Sequence, residues 1–102
     1  MPSVIVVGGG LAGLSAAVAL GSAGYSVDLY EARGFLGGRA TSFPLSPAAD
    51  SEIIDNCQHV LLRCCVNLLD FYRRLEVTDR IHFSGDYYFL EALNRYATLP
   101  LG

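Results

Sequence analysis

Val4-Ile5-Val6-Val7 is an unbroken β-branched run, and three glycines follow it directly. A run of this kind predicts a strand buried on both faces. Leu11 to Ala23 is a stretch of small apolar residues ended by Gly24. It predicts a helix able to lie close on a sheet and to stop at a C-terminal glycine. Ser26 to Tyr30 reads as a second short strand. A helix between two strands makes right-handed parallel pairing the strong expectation, so the chain opens with a βαβ unit.

Beyond Tyr30 the pattern changes. Ala32 to Ala40 is a glycine-rich loop carrying two arginines, and Thr41 to Phe43 reads as a short strand. Pro44 to Ser51 has two prolines and reads as a surface loop; Glu52 to Asp55 is a further short strand. From Gln58 to Glu76 the period is helical. Arg63, Asn67, Asp70 and Arg74 form one polar stripe, while Leu61, Cys64, Cys65, Leu68, Leu69, Tyr72 and Leu75 fill the apolar side. Ile81 to Leu99 is aromatic and β-favouring around Glu91-Ala92-Leu93-Asn94, the pattern of a hairpin. The expected class is α/β, with the βαβ unit and its glycine loop in residues 1–43. A loop, a helix and a short β-hairpin occupy 44–102.

Composition narrows the function. Of 102 residues 52% are hydrophobic and 17% charged, which excludes disorder. The mean hydropathy of +0.37 is high for a lone domain and implies apolar surface that meets more protein or a membrane. Self-association and peripheral membrane contact are both expected on this ground. A net charge of −3 leaves no basic patch for nucleic acid. Cys57, Cys64 and Cys65 are odd in number and lack zinc-ligand spacing, which points to a reduced, cytoplasmic protein. The apolar start has no basic segment before it and is interrupted by Gly8, Gly9, Gly10 and Gly13, so it reads neither as a signal peptide nor as a membrane span.

Nine of the eleven glycines lie at or before residue 38. Gly8-Gly9-Gly10-Leu11-Ala12-Gly13 matches G-x-G-x-x-G and has the context the pattern requires, a strand before it and a helix after it. Gly8 permits the tight turn, Gly10 lets a pyrophosphate reach the backbone, and Gly13 allows helix to pack on strand. The free N–H groups at Leu11, Ala12 and Gly13 then face the phosphates, favoured by the helix dipole. Glu31 ends the second strand, where a carboxylate accepts hydrogen bonds from ribose hydroxyls and repels a 2′-phosphate. The ligand is therefore NAD or FAD rather than NADP. The alternative is a glycine turn without a ligand.

Glu31-Ala32-Arg33, followed by Gly37-Gly38-Arg39, resembles the flavoprotein superfamily of amine oxidases, phytoene desaturases and protoporphyrinogen oxidases. In that superfamily an E-x-R and a G-G-R motif follow the dinucleotide fold, and the resemblance implies FAD. Gly37 and Gly38 would let the backbone run close to the cofactor, and Arg39 would neutralise pyrophosphate or hold the flavin edge. Arg33 and Arg39 paired to nearby acids is the other reading. The implied fold is the N-terminal part of a Rossmann-like FAD-binding domain.

Asp55-Asn56-Cys57-Gln58-His59 is a polar cluster entering a helix. With the preceding motifs it resembles the hydroxysqualene dehydroxylase family, FAD-dependent enzymes of hopanoid biosynthesis that carry D-N-G-Q-H here. Cys57 and Arg63 stand where that family is expected to have glycine, and cysteine tolerates positive φ poorly. The resemblance implies an isoprenoid substrate, with Asp55, Gln58 or His59 protonating the leaving hydroxyl. Asp55 and His59 are the catalytic candidates. Capping of a helix by Asp55 or Asn56, and a His59 held by backbone groups, remain open. Tyr87, Tyr88 and Phe89 read as sheet core or as a channel lining. Cys64 and Cys65 read as core.

Relatives of this kind are several times longer, and two parallel strands do not complete a doubly wound sheet. The expectation is an N-terminal piece of a longer enzyme, inactive alone. Phytoene or carotenoid desaturase and flavin amine oxidase are the competing activities, and a non-catalytic dinucleotide-binding module is the competing class.

Overall fold

The computed structural model describes residues 1–57, 60–90 and 96–100. The strand β1 (Ser3–Val7), the helix α1 (Leu11–Ser22) and the strand β2 (Ser26–Tyr30) form the expected βαβ unit. β1 and β2 pair in parallel, from Ser3 opposite Ser26 to Val7 opposite Tyr30. The chain turns out of α1 through Gly24, whose φ is +91°. There the Tyr25 N–H donates to the Leu20 carbonyl at 3.1 Å and the Gly24 N–H to that of Gly21 at 3.0 Å. These two bonds satisfy orphan carbonyls of the last turn, as a left-handed residue past a helix end allows.

The strands β3 (Ser42–Pro44) and β4 (Ile53–Asp55) pair antiparallel, with the 45–52 loop between them. The helix α2 (Val66–Arg74) follows, then a short 3-10 turn at Thr78–Arg80. The strands β5 (Asp86–Leu90) and β6 (Tyr96–Pro100) make the anticipated hairpin, with Leu90 opposite Tyr96. The turn residues Glu91 to Asn94 lie outside the described residues. Among the described residues no helix is long and apolar enough to cross a membrane.

Two expectations are corrected. β1 is covered on one face only: α1 lies over Val4 and Val6, whereas Ile5 and Val7 on the opposite face are 64% and 83% exposed. Nothing among the described residues packs on that second face. Phe71 is accordingly the one buried hydrophobic side chain described, at 6% exposure. The Cα radius of gyration is 18.0 Å, against about 13 Å for a compact domain of this length.

The second correction concerns α2, which starts at Val66 rather than Gln58. The Cys65 N–H donates to the Leu62 carbonyl and the Val66 N–H to that of Cys64, each at 2.9 Å, so the chain turns twice before the helix begins. Cysteine is a poor helix former, and Arg63 leaves the polar stripe to lie 4.3 Å from the centre of the Phe83 ring. Cys64 and Cys65 are exposed rather than buried in a core. The rest of the stripe stays helical, and the Asp70 carboxylate bonds both Arg73 and Arg74. Arg74 first and Arg73 next hold the Asp70 carboxyl below its usual range, although exposed pairs of this kind add little stability.

α2 ends on the same geometry as α1 with a different residue. Glu76 has φ 56°, the one non-glycine with positive φ among the described residues. The Val77 N–H reaches the Tyr72 carbonyl and the Glu76 N–H that of Arg73, both at 3.1 Å. Cys57, where positive φ was the concern, does not adopt it.

Candidate functional site

The carboxyl ends of β1 and β2 bring together the residues singled out in the sequence. Gly8 turns the chain at φ +104° and donates to the Tyr30 carbonyl at 2.8 Å, one step beyond the strand pairing. α1 begins immediately. Its first intrahelical bond runs from the Leu14 N–H to the Gly10 carbonyl at 2.9 Å. The N–H groups of Leu11, Ala12 and Gly13 therefore have no acceptor within the helix. No side chain caps them, and the first turn holds no acidic residue. These donors and the helix dipole favour an anion at this point.

Gly13 is required by contact. A Cβ on it would lie 1.7 Å from the Gly8 carbonyl oxygen, inside any attainable separation. Gly10 differs: a Cβ there would meet only the Gly38 Cα, at 3.9 Å. The space beside Gly10 is open, as backbone recognition of a pyrophosphate needs.

Glu31 sits beside this turn with its carboxylate fixed at both ends. One oxygen accepts the Gly9 N–H at 2.6 Å, the other the Arg33 N–H at 2.9 Å. The Arg33 bond, then the Gly9 bond, lowers the carboxyl below its usual value. Each carboxylate oxygen has two lone-pair sites, so both can still accept a bond from a ribose hydroxyl. The residues present thus fit the adenosine diphosphate half of a dinucleotide.

The second glycine motif docks on the first. The Gly37 N–H donates to the Gly9 carbonyl at 2.7 Å, and Gly10 and Gly37 form a parallel bridge. A Cβ on Gly38 would approach the Gly10 Cα to 3.1 Å. The expected reason for these glycines was approach to a cofactor, and the structure supplies a nearer one, backbone against backbone. Ala32, Arg33 and Arg39 are exposed on the loop. The Arg33 guanidinium lies 5.9 Å from the Phe35 ring centre.

Two contributors act in roles that the sequence did not reveal. Gly9 occupies an x position of the motif, yet it is buried and bonds Glu31 through its N–H and Gly37 through its carbonyl. The run of three glycines was the available signal. Asn56 is the other: its Nδ2 donates to the Arg39 carbonyl at 3.1 Å and its backbone N–H to the Thr41 carbonyl at 2.9 Å. A side chain acting on a loop 17 residues earlier leaves no local pattern. Replacing Asn56 with alanine removes one hydrogen bond of about 1 kcal/mol. The thermal midpoint is expected to fall by about 4–8 °C in a melting experiment; an unchanged midpoint would show that Asn56 does not hold the Arg39 loop.

Asp55 lies at the exposed end of β4, where it accepts a bond from the Ser42 hydroxyl at 2.5 Å. Gln58 and His59 fall outside the described residues. Of the two catalytic candidates, Asp55 alone is therefore placed, next to Asn56 and through it to the Arg39 loop.

A family model described as an NAD(P)-binding Rossmann-like domain matches residues 6–75. The chain is similar to a zeta-carotene desaturase of Synechocystis sp., 40% identical over 79% of this chain and 16% of the relative. A hydroxysqualene dehydroxylase of Zymomonas mobilis subsp. mobilis is 48% identical over 56% of this chain and 13% of the relative. A solved structure of putrescine oxidase bound to putrescine overlays 96% of this chain and 22% of its own, with TM-score 0.60 and 23% identity, a likeness of fold. The chain thus spans about one sixth of the length of the first of these relatives.

Proposed function

Because the chain belongs to the family of NAD(P)-binding Rossmann-like domains, within the superfamily of FAD-dependent amine oxidases and carotenoid desaturases, we propose that it binds the ADP half of FAD in an oxidoreductase acting on an isoprenoid. The observation that carries this reading is the Glu31 carboxylate fixed beside the unbonded N–H groups of α1. Leu11, Ala12 and Gly13 would hold the pyrophosphate through their N–H groups. Glu31 would accept the ribose hydroxyls, and Arg39 would balance phosphate charge.

The specific reaction we propose is reductive dehydroxylation of hydroxysqualene to squalene, in hopanoid biosynthesis. Its support is the 48% identity to the Zymomonas enzyme and the Asp55-Asn56 segment. Bound reduced FAD would supply the hydride. The carbon–oxygen bond breaks, and the hydroxyl departs as water with a proton from Asp55 or His59. A desaturase reading has its own support, since the zeta-carotene desaturase matches over more of this chain. In that reaction the substrate would lose two hydrogens, with oxidised FAD as the acceptor. A cytoplasmic protein in peripheral contact with the membrane is part of the proposal, since both substrates are apolar.

The test is an absorbance spectrum of the purified full-length gene product, then anaerobic reduction and addition of hydroxysqualene. Reoxidation by that compound supports the dehydroxylase. Bound flavin that is instead reduced by a carotene precursor supports the desaturase. Absence of bound flavin overturns the reading of Glu31 through Arg39.

A further inference from the structure

We propose that Cys64 and Cys65 form a two-thiol site for a trivalent arsenical. The two are adjacent, free and exposed, and neither lies in the helix that follows. The backbone between them is fixed. Cys65 has φ −78° and ψ 60°, the inverse γ-turn conformation, closed by the bond from the Val66 N–H to the Cys64 carbonyl at 2.9 Å. The Cys65 N–H is bonded to Leu62 at 2.9 Å and the Cys65 carbonyl accepts the Leu69 N–H at 3.1 Å. Both cysteines thus project from a turn whose peptide groups are already committed, so little backbone entropy is lost when both sulfurs engage one ligand.

The same adjacency disfavours the alternative fate of the pair. Neighbouring Cα atoms across a trans peptide are about 3.8 Å apart, shorter than the roughly 4.4 Å at which ordinary disulfides begin. No cis peptide relieves this spacing among the described residues. An arsenic atom between the sulfurs enlarges the ring by one atom and replaces one bond with two longer ones. With phenylarsine oxide, two arsenic–sulfur bonds form and the arsenic–oxygen bond breaks. The oxygen leaves as water with both thiol protons, and neither arsenic nor sulfur changes oxidation state. Cys57 is exposed as well but has no thiol beside it in sequence, so it can supply only a single sulfur to the same reagent.

The experiment treats the full chain with phenylarsine oxide, measures intact mass, and maps the blocked cysteines by alkylation and peptide analysis. The expected result is one phenylarsenic group per chain, with Cys64 and Cys65 protected and Cys57 alkylated. A dithiol should remove the group and a monothiol should not. Cys64→Ser and Cys65→Ser should each weaken binding about 100-fold or more, the effective-concentration advantage of a second linked contact, whereas Cys57→Ser should leave it unchanged. Protection that includes Cys57, removal by a monothiol, or undiminished binding by Cys65→Ser overturns the proposal. The mapping is made on the unaltered protein, so a variant that fails to fold does not decide the outcome.

Discussion

Gly13→Ala is expected to abolish cooperative unfolding of the βαβ unit and, with it, FAD binding. Alanine is the better helix former by about 1 kcal/mol, so propensity alone predicts stabilisation. The contact decides otherwise: the added Cβ would lie 1.7 Å from the Gly8 carbonyl oxygen, a backbone atom that cannot rotate away. Relief requires α1 to lift from β1, at a cost of about 3 kcal/mol or more. Gly21→Ala, on the same helix, would meet nothing within 4 Å and should stabilise by about 0.5–1 kcal/mol. Urea denaturation followed by circular dichroism separates the two. Equal midpoints for both variants would show that α1 does not rest on Gly8 as described.

Glu31→Gln carries the second large effect. A glutamine offers one acceptor oxygen where the structure uses two, and it places an amide donor opposite one backbone N–H. Charge-assisted hydrogen bonds are about twice as strong as neutral ones, and a ribose hydroxyl would lose its charged acceptor, so FAD affinity should fall about 10-fold or more in a fluorescence titration. The pH dependence has a fixed sign. The Glu31 carboxyl titrates below its ordinary value of 4.5 because the Arg33 and Gly9 N–H groups favour the charged form. Its contribution is fully present above about pH 4.5 and is lost as pH falls through the lower, folded value. The stability difference between the native protein and Glu31→Gln should therefore be constant at neutral pH and shrink in acid. A difference independent of pH throughout would remove the charged carboxylate from the account.

The parts legible in the sequence are those whose causes are local. The β-branched run, the glycine spacing and Gly24 are each read from a few neighbouring residues, and β1, α1 and β2 follow within a residue or so of expectation. The β5–β6 hairpin was legible for the same reason. What stayed hidden depends on distant partners. Arg63 departs from its helical stripe for Phe83, twenty residues on, and periodicity carries no trace of that contact. Gly37 and Gly38 were recognised as motif residues, but their docking on Gly9 and Gly10 depends on how the 31–38 loop folds back. The double-sided burial of β1 was inferred from composition, which records an apolar strand and not what lies over it.

The latch between the two glycine motifs also bears on when the cradle forms during synthesis. Every group that shapes it, from Gly8 through Glu31 and Gly37 to Asn56, is drawn from one short stretch near the start of the chain. Contacts of such modest sequence separation close quickly, far faster than the roughly 5–20 residues added each second by a ribosome. The glycine turn and its latch can thus assemble on the nascent chain soon after Asn56 leaves the exit tunnel, before the β5–β6 ribbon has emerged from it.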